Sequence, residues 1–476
     1  MRAIETRLFK RLTVGFDWEL WVVDRGGLPV GKRELAAIAT ELNRREPALP
    51  IGLDLDQVEL RSGIAATYAE IAGRAARARA ALDRVAAARR RAAYPFAGHP
   101  LVRNFSGGHV HVGTVDGLEL GLAAETKNAL APYVPALVAL GASSPFTELR
   151  AGAFKSYRAA FRAYGCALPV LVAAPGATYV RGLEDVALKV DQRPTIEVRI
   201  ADSPCSARLL AELAALAAGL VAGVAAAVER GDLARPDERG VEEGLANRYN
   251  ASRHGLQATF RLGRGPRIEA SSGAASRGGR ARGGNGRPPG TEVREVGADE
   301  LVAEALELAR PGLRALGTDV EALGLVRRMV ERRATQADFQ RWAAAGEPDP
   351  YALPRRLLEA AGRGGEGFER WLEREAPVLP RLAFEPLEEA VLARAGRSRP
   401  VPWTKVNFDL GLPPALLARI AGKLAADGQV EIVEDPERGM ALRRSVPCSE
   451  SLPRSSPSGR RTAGVAARAA AFVASP

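Results

Sequence analysis

Residues 14–23 read Val-Gly-Phe-Asp-Trp-Glu-Leu-Trp-Val-Val. Successive side chains of a β-strand point to opposite faces, so this alternation predicts a strand with Asp17 and Glu19 on one face and Phe16, Trp18 and Leu20 on the other. A strand of this kind belongs to a sheet with one buried side and one polar side.

Three further segments repeat the pattern of an apolar face opposite adjacent ionisable groups. They are residues 56–61, with Glu59 and Arg61 on the polar face, residues 108–113, with His109 and His111, and residues 195–200, with Glu197 and Arg199. One such strand is typical of an antiparallel sheet with a solvated face. Four strands that together carry four carboxylates, two arginines and two of the chain's four histidines predict a single cleft.

The side chains of this cleft indicate the kind of ligand that it binds. Carboxylates and imidazoles are ligands for divalent cations, and arginines donate paired hydrogen bonds to phosphate. The joint ligand that these residue types predict is a magnesium nucleotide.

Composition predicts a soluble globular protein. The chain has 476 residues, of which 46% are hydrophobic and 26% are charged, enough for about three structural units. Its three cysteines are too scattered for a disulfide framework or a structural zinc site, which favours the reducing cytoplasm. The longest apolar run, residues 213–228, is shorter than the roughly 20 residues of a membrane span and predicts a buried helix. Residues 1–5 (Met-Arg-Ala-Ile-Glu) show no secretion signal, so we expect a cytoplasmic protein without membrane contact.

The net charge of +11 does not by itself predict nucleic-acid binding. Residues 263–290 hold six Arg against one Glu, and the tail beyond residue 448 holds four Arg against one Glu. The first of these segments also has nine Gly and no aromatic residue, so it predicts a disordered insertion, and residues 448–476 predict an unstructured tail. Most of the excess charge therefore lies outside the predicted folded parts.

Residues 381–447 predict a separate C-terminal module. Helical patterns at 386–395, 405–410 and 414–428 precede two short strands, at 430–433 and 440–443. This order resembles a winged helix, in which Arg419, Lys423 and Arg438 would contact DNA phosphates. Acidic residues crowd the predicted wing, so protein packing is the favoured interpretation, although DNA contact stays open. The remaining residues, 1–378, form the predicted catalytic domain.

Other phosphate-binding and nucleophilic motifs are absent from the sequence. It contains neither the Gly-x4-Gly-Lys-Ser/Thr of a P-loop nor a Gly-x-Gly-x-x-Gly between a strand and a helix. No cysteine lies in a recognisable reactive setting, and the histidines belong to the strand pattern. These absences disfavour a P-loop enzyme, a Rossmann dehydrogenase and a nucleophilic triad.

An ordered set of motifs resembles the glutamate-cysteine ligase type 2 family, also called carboxylate-amine ligases. The resemblance covers residues 10–262 well and 293–375 weakly, and it rests on Gly15-Phe-Asp-Trp-Glu, Gln57-Val-Glu-Leu-Arg, His109-Val-His-Val-Gly, Ala142-Ser-Ser-Pro-Phe, Ser156-Tyr-Arg, Thr195-Ile-Glu-Val-Arg-Ile-Ala-Asp and Asn247-Arg-Tyr-Asn-Ala-Ser-Arg-His-Gly. It implies an α+β fold: a curved antiparallel sheet of the glutamine synthetase type with flanking helices, to which the winged-helix-like module is added.

The resemblance also implies an activity. Enzymes of this family use ATP to phosphorylate a carboxylate, typically the γ-carboxylate of glutamate, and an amine such as cysteine or another amino acid then displaces phosphate. For this chain it implies ATP and Mg²⁺ or Mn²⁺ as cofactors, small-molecule substrates, and a place in glutathione biosynthesis, while a homo-oligomer stays open. The residues carried over as metal ligands are Asp17, Glu19, Glu59, His109 and Glu197, and those carried over as phosphate donors are Arg199, Arg158 and Arg61.

The sequence departs from the family in ways that bear on substrate choice. The first acid of the opening strand is usually Glu and is Asp17 here, and the turn before the histidines is Ser-Gly-Gly rather than Gly-Leu. The alternative function is a protein without catalysis that senses a metabolite through a ligase-like fold and binds DNA or a partner through residues 381–447. An acid at every expected position disfavours this alternative, because a cleft without a cation has no use for four like charges.

Overall fold

The structure is a computed structural model that describes residues 6–147, 150–151, 153–162, 185–189, 194–233, 238–263, 293–396, 399–410, 414–435 and 439–445. The predicted insertion, apart from residue 263, and the predicted tail lie outside the described residues. The chain divides into two compact units, of which the second contains the chain from Phe384 onward together with a short stretch that begins at Ala160. The domain bounds given above stay predictions.

The first unit combines antiparallel strands with helices. Its strands are β1 Leu12–Val23, β2 Ile51–Asp54, β3 Gln57–Arg61, β4 Ala92–Tyr94, β5 Gly108–Thr114, β6 Phe146–Thr147, β7 Arg150–Ala151, β8 Val186–Lys189, β9 Thr195–Val198, β10 Thr259–Leu262 and β11 Arg294–Gly297. Its helices are α1 Lys32–Arg45, α2 Tyr68–Ala88, α3 Leu120–Ala129, α4 Val134–Leu140, α5 Tyr157–Arg162, α6 Ala207–Glu229, α7 Glu238–His254, α8 Ala298–Ala315, α9 Gly324–Arg332, α10 Gln336–Ala344, α11 Leu353–Ala361 and α12 Glu366–Arg374.

One antiparallel sheet carries the predicted site. Its strand order is β2-β3-β1-β5-β9-β8, and β4 pairs with the far end of β1. The predicted strands therefore lie side by side, and the mixed α/β class with an antiparallel sheet is confirmed. The glutamine synthetase type of this sheet stays a prediction. On the apolar face the strands bury Phe16, Trp18, Leu20, Val58, Leu60, Val110, Val112, Ile196 and Val198.

Helix α6 packs behind this face and is the buried helix that the apolar run predicted. By length and composition it would be long enough to cross a membrane, but its apolar window is entirely buried inside the protein. The Ser206 side chain caps its N-terminus by accepting a hydrogen bond from the Leu209 N–H. A Cβ at Gly223 would lie 2.0 Å from the Leu308 carbonyl oxygen, so glycine allows α6 and α8 to touch through their backbones.

The second unit contains the predicted helices and strands. They are α13 Leu387–Arg394, β12 Val401–Pro402, α14 Trp403–Leu410, α15 Pro414–Ala426, β13 Val430–Asp435 and β14 Gly439–Arg444. The three strands form one sheet in the order β12-β14-β13. Lys423, a candidate for phosphate contact, pairs with Glu388 at 3.0 Å, and Arg438 lies outside the described residues. The identification of this unit as a winged helix stays a prediction.

Candidate functional site

The register of the sheet brings the predicted polar side chains onto one face. Asp17 on β1 lies opposite Arg61 on β3 and opposite His109 on β5. Glu19 lies opposite Glu59 in the same ladder. Because paired residues point to the same side of a sheet, these side chains share a face.

Three side chains of this face converge closely enough to hold one metal ion. One ligand atom each from Asp17, His111 and Glu197 lies within 4.8 Å of the others. The His111 Nε2 lies 3.0 Å from Asp17 Oδ2 and 3.7 Å from Glu197 Oε1. Two carboxylates and an imidazole fit a divalent cation of the Mg²⁺ or Mn²⁺ kind, since the two negative charges match the charge of the ion.

His111 is held in place by its neighbours on both sides. Its Nδ1 lies 3.2 Å from the hydroxyl of Thr195, which is on the adjacent strand β9. Burial by itself lowers the pKa of this imidazole, but the hydrogen bond to Asp17 and the charges of Asp17 and Glu197 outweigh burial and raise the pKa. The cation and the imidazole proton would compete for the same pair of carboxylates.

His109 was the predicted metal ligand, but the structure places His111 in the cluster instead. The His109 Nε2 accepts a hydrogen bond from the Arg158 guanidinium at 3.1 Å. Its Nδ1 lies 3.6 Å from Glu197 Oε1. The guanidinium engages the lone pair of Nε2, which leaves Nδ1 as the ring nitrogen on the side of Glu197, and the role of His109 as a metal ligand stays a prediction. The sequence offered both histidines at equivalent positions and could not separate them.

Glu19 is buried beside His109 and lies outside the group of three. Its Oε1 is 3.6 Å from His109 Nε2, and its Oε2 accepts the Gly107 backbone N–H at 2.5 Å. The backbone N–H of Gly107 therefore fixes the position of the Glu19 carboxylate, and the role of Glu19 as a metal ligand stays a prediction.

Glu59 is paired with Arg61 on its own strand. The Arg61 Nε donates to Glu59 Oε2 at 2.7 Å, and the pair lies over Gly52, where a Cβ would come 2.8 Å from that oxygen. Burial, followed by the charge of Asp17, raises the pKa of Glu59, although Arg61 opposes the rise. Arg61 is therefore engaged with a carboxylate, and both predicted roles stay predictions.

Glu197 connects the metal cluster to two basic side chains. Its Oε1 faces the histidines, whereas its Oε2 lies 3.4 Å from Arg199 Nη1 and 3.2 Å from Lys189 Nζ. The Nε of Arg199 is buried and has no hydrogen-bond partner among the described residues. Lys189 was missed by the sequence analysis, although the alternation of residues 186–189 could have indicated a strand.

Arg158 does not face the cleft in the way that a phosphate donor would. Its side chain is 1% exposed, and its Nη1 donates to the carbonyl oxygens of residues 199, 200 and 201 at 3.0, 3.2 and 3.0 Å. Arg158 therefore makes a buried contact with the chain that follows Glu197, and its predicted phosphate contact stays a prediction. A Cβ at Gly107 would lie 2.2 Å from Arg158 Nη2, so this packing requires glycine at position 107.

Asp202 joins three of the quoted motifs in one buried network. Its Oδ2 accepts from the Ser143 N–H and the Ser144 hydroxyl, each at 2.7 Å, and its Oδ1 accepts from the Ser156 hydroxyl at 3.0 Å. Burial raises the pKa of Asp202 although Arg158 opposes the rise. Ser143, Ser144, Ser156 and Asp202 thus support the site from behind.

Arg248 also has a supporting role. It forms a buried, two-pronged ion pair with Asp185, with contacts of 2.5 and 2.8 Å, and the Asp185 carbonyl accepts the Arg199 N–H at 2.9 Å. This pair fixes the edge of the sheet next to Arg199.

Comparison with known proteins agrees with the resemblance found in the sequence. The family model of glutamate-cysteine ligase family 2 (GCS2) matches residues 99–167, a range that contains His109, His111 and Arg158. The protein named "Putative glutamate--cysteine ligase 2-3" of Rubrobacter xylanophilus is 31% identical over 271 residues, which are 53% of this chain and 62% of that protein. The "Putative glutamate--cysteine ligase 2" of Streptomyces coelicolor is 32% identical over 166 residues, which are 32% of this chain and 44% of that protein.

These matches confirm the predicted resemblance to the glutamate-cysteine ligase type 2 family. The matched part spans between 43% and 62% of the length of these curated relatives. Among solved structures, the ligase PafA in complex with the prokaryotic ubiquitin-like protein Pup has a TM-score of 0.45 at 11% identity, covering 98% of this chain and 93% of that one. The glutamate-cysteine ligase of Francisella tularensis in complex with AMP has a TM-score of 0.47 at 9% identity, covering 78% and 91%. At these values the likeness carries no argument about the site.

Proposed function

We propose that this chain is an ATP-dependent carboxylate-amine ligase that joins the γ-carboxylate of glutamate to the amine of cysteine or another amino acid. The observation that carries the proposal is the division of Glu197 between a cation cluster and two basic side chains. A divalent cation on one side of Glu197 and two basic side chains on the other suit the transfer of a phosphoryl group, because catalysis of this reaction depends mainly on positioning and charge neutralisation.

The reaction has two balanced steps. A carboxylate oxygen of the first substrate attacks the γ-phosphorus of ATP, the bond to the β-γ bridging oxygen breaks, and ADP leaves. The amine nitrogen then attacks the acyl carbon, loses a proton and expels inorganic phosphate, which forms the amide. Neither step needs an oxidant or a covalent bond to the protein.

The side chains of this chain have distinct roles in the proposal. Asp17, His111 and Glu197 would hold Mg²⁺ or Mn²⁺, which supplies neutralisation of phosphate charge when bound. Arg199 and Lys189 would contact the transferred phosphoryl group. Arg199 retains an unpartnered buried Nε among the described residues, and such a donor gains most from an anionic ligand. We also propose that the protein acts in the cytoplasm on small-molecule substrates.

The test of the function is a panel of amino acids with ATP and Mg²⁺. We expect phosphate release to be slow with ATP alone and to rise when glutamate and an amine are both present. The product should have the mass of the two substrates minus one water. Equal phosphate release in every mixture would indicate a simple ATPase, and nucleotide binding without release would favour the metabolite-sensing alternative.

Two substitutions on one strand face separate the cation role from the phosphate role. Glu197→Gln keeps the size but removes the charge, so it should weaken Mn²⁺ and nucleotide binding together. Arg199→Lys keeps the charge but loses the planar fork, so turnover should fall about a hundredfold while nucleotide affinity changes little. Arg33→Lys, on the exposed surface, is the matched control. If Arg199→Lys turned over normally and Glu197→Gln unfolded the protein, the strand would be structural.

A further inference from the structure

Asp185 and Arg199 lie across from each other at the edge of the polar face. Val186 of β8 pairs with Val198 of β9. One step further along, the Arg199 N–H donates to the Asp185 carbonyl oxygen at 2.9 Å. Side chains alternate along a strand, and Val186 and Val198 are buried on the apolar face. Asp185 and Arg199 therefore point to the opposite face, which carries Glu197, and opposite charges at such facing positions attract each other.

Arg248 already holds the carboxylate that would otherwise pair with Arg199. Its Nε donates to Asp185 Oδ2 at 2.5 Å and its Nη2 donates to Oδ1 at 2.8 Å, so both carboxylate oxygens have the same guanidinium as partner. The side chains of Asp185 and Arg248 are only 5% and 4% exposed. Among the described residues, the only polar contact of the Arg199 side chain is with Glu197, at 3.4 Å, and its buried Nε has no hydrogen-bond partner. Arg199 therefore keeps its donors although a carboxylate faces it across the ladder.

Helix α7 keeps Arg248 in this position. The preceding residue, Asn247, forms two hydrogen bonds with the backbone of Arg261 on β10: its amide N–H donates to the carbonyl oxygen at 2.7 Å, and its Oδ1 accepts the N–H at 2.8 Å. A guanidinium that forms two parallel hydrogen bonds with one carboxylate binds it more strongly than a donor that meets it at one atom. Arg248 therefore has the advantage over Arg199 in binding Asp185.

We propose that Arg248 is a positioning residue for Arg199: it engages both carboxylate oxygens of Asp185 and so leaves the Arg199 guanidinium open to an anionic ligand. The inference rests on the proposed function for the identity of that ligand, which is the transferred phosphoryl group. A role in stability alone requires only that the ion pair exists, whereas this role requires that Asp185 is kept from Arg199. The two roles predict opposite results when both members of the pair are removed.

Removal of Arg248, and then of its partner, separates the two roles. In Arg248→Met the buried carboxylate of Asp185 should pair with Arg199, so kcat with glutamate and the most active amine should fall about a hundredfold while the KM for ATP changes less than about threefold. Asp185→Leu/Arg248→Met also removes the competing carboxylate and replaces a buried ion pair by apolar side chains, so its kcat should return to within about tenfold of wild type. A double variant as slow as Arg248→Met would overturn the proposal.

Arg79→Met is the matched control for lost stability. Arg79 is a buried arginine of α2 that donates to Asp83 at 3.0 Å and lies over the Trp18 ring, on the apolar side of the sheet. The substitution should lower the urea midpoint of unfolding, but kcat should stay within about threefold of wild type where the protein is folded. A fall in kcat as large as that of Arg248→Met would show that turnover follows stability alone and would overturn the proposal.

Urea unfolding tests the inference without turnover. In wild type the Arg199 side chain has only the contact with Glu197, so Arg199→Met should lower the urea midpoint little. In the Arg248→Met background Arg199 becomes the partner of Asp185, so the same substitution should lower the midpoint at least about twice as much. Equal shifts in the two backgrounds would overturn the proposal. If wild type formed no amide, the proposed function would fail, and this comparison would still decide the inference.

Arg248→Lys takes the place of Arg248→Met if that variant does not fold. Lysine keeps the charge but not the planar fork, so one oxygen of Asp185 becomes open to Arg199 and kcat should fall about tenfold. Arg199→Met should again shift the urea midpoint more in this background than in wild type. Equal shifts would overturn the proposal here as well.

Discussion

A single methyl group at position 107 should disrupt the support of the site. The Cβ of Gly107→Ala would lie 2.2 Å from Arg158 Nη2, 2.7 Å from its Cζ and 2.9 Å from His109 Nε2. Ordinary contacts of this kind lie beyond about 3.4 Å, so the guanidinium has to move by more than an ångström. Gly107 is not among the glycines with positive φ, so the substitution acts through this overlap and not through backbone strain.

The size of the effect follows from what Arg158 would lose. Its guanidinium donates to three carbonyl oxygens and to His109, and its side chain is 1% exposed, so water cannot replace these partners. Hydrogen bonds to charged groups contribute about 1.5–3 kcal/mol each, and relaxation of the chain would recover part of the loss. We expect the free energy of unfolding to fall by about 3–5 kcal/mol, the range for breaking a buried charge network.

Urea unfolding followed by circular dichroism measures this loss, and Gly73→Ala is the control. Gly73 lies inside α2 with nothing within 4 Å of its added Cβ, so the same methyl group should stabilise the protein by about 0.5–1 kcal/mol. The two substitutions therefore have opposite signs. If the free energy of unfolding of Gly107→Ala lay within about 0.5 kcal/mol of the wild-type value, the position of Arg158 against Gly107 and His109 would be wrong.

Three further predictions concern stability and the division of the chain. Burial lowers the pKa of His99, so the unfolded chain binds a proton at this residue before the folded protein does, and the free energy of unfolding should fall as pH drops below about 6.5. In urea melts at pH 7.5 and 5.5, His99→Gln should show a smaller change in the free energy of unfolding between the two pH values than wild type, and an unchanged value would contradict the lowered pKa of His99. Glu212 Oε2 accepts two backbone N–H groups at the start of α9, so Glu212→Ala should lower the free energy of unfolding by about 3 kcal/mol in the same melts. Glu212→Gln should cost less because its side-chain carbonyl can still accept, whereas equal costs would argue against hydrogen-bond acceptance as the source of the stability. A chain that ends at Ala383 should bind Mn²⁺ with an affinity within about twofold of the full protein, because every residue of the proposed site lies between Asp17 and Arg199. Aggregation or loss of Mn²⁺ binding would mean that the first unit needs the second for its stability.

The polar face of the sheet could be predicted from sequence because strand geometry is local. A period of two fixes which side chains share a face of one strand, and this alone placed Asp17 with Glu19 and Glu197 with Arg199. The order of the strands is not local, but a buried apolar face on each strand required that they pack together. The pairing of Glu59 with Arg61 was also readable, since opposite charges two residues apart on one strand lie side by side.

The choice between the two histidines could not be predicted in the same way. His109 and His111 have the same strand, the same face and the same alternation, and only a third group distinguishes them. That group is Arg158, which lies 49 residues along the chain from His109 and reaches it through helix α5. Lys189 was hidden for a related reason: it pairs with Thr195 in the register but reaches Glu197 diagonally. Contacts that form only through tertiary packing produce no periodic pattern in the sequence.

Charge balance explains why so many ionisable groups can share this face without a ligand. Four carboxylates are matched by four basic side chains on or next to this face, so the region is close to neutral when its histidines carry no charge. These groups are Asp17, Glu19, Glu59, Glu197, Arg61, Arg158, Lys189 and Arg199. A divalent cation alone would leave two positive charges uncompensated in a partly buried site, and a polyphosphate alone would leave an excess of negative charge. Bound together, the cation offsets part of the charge of the polyphosphate. Each ligand should therefore raise the affinity for the other by the same factor, which is the behaviour that a site for a metal nucleotide requires.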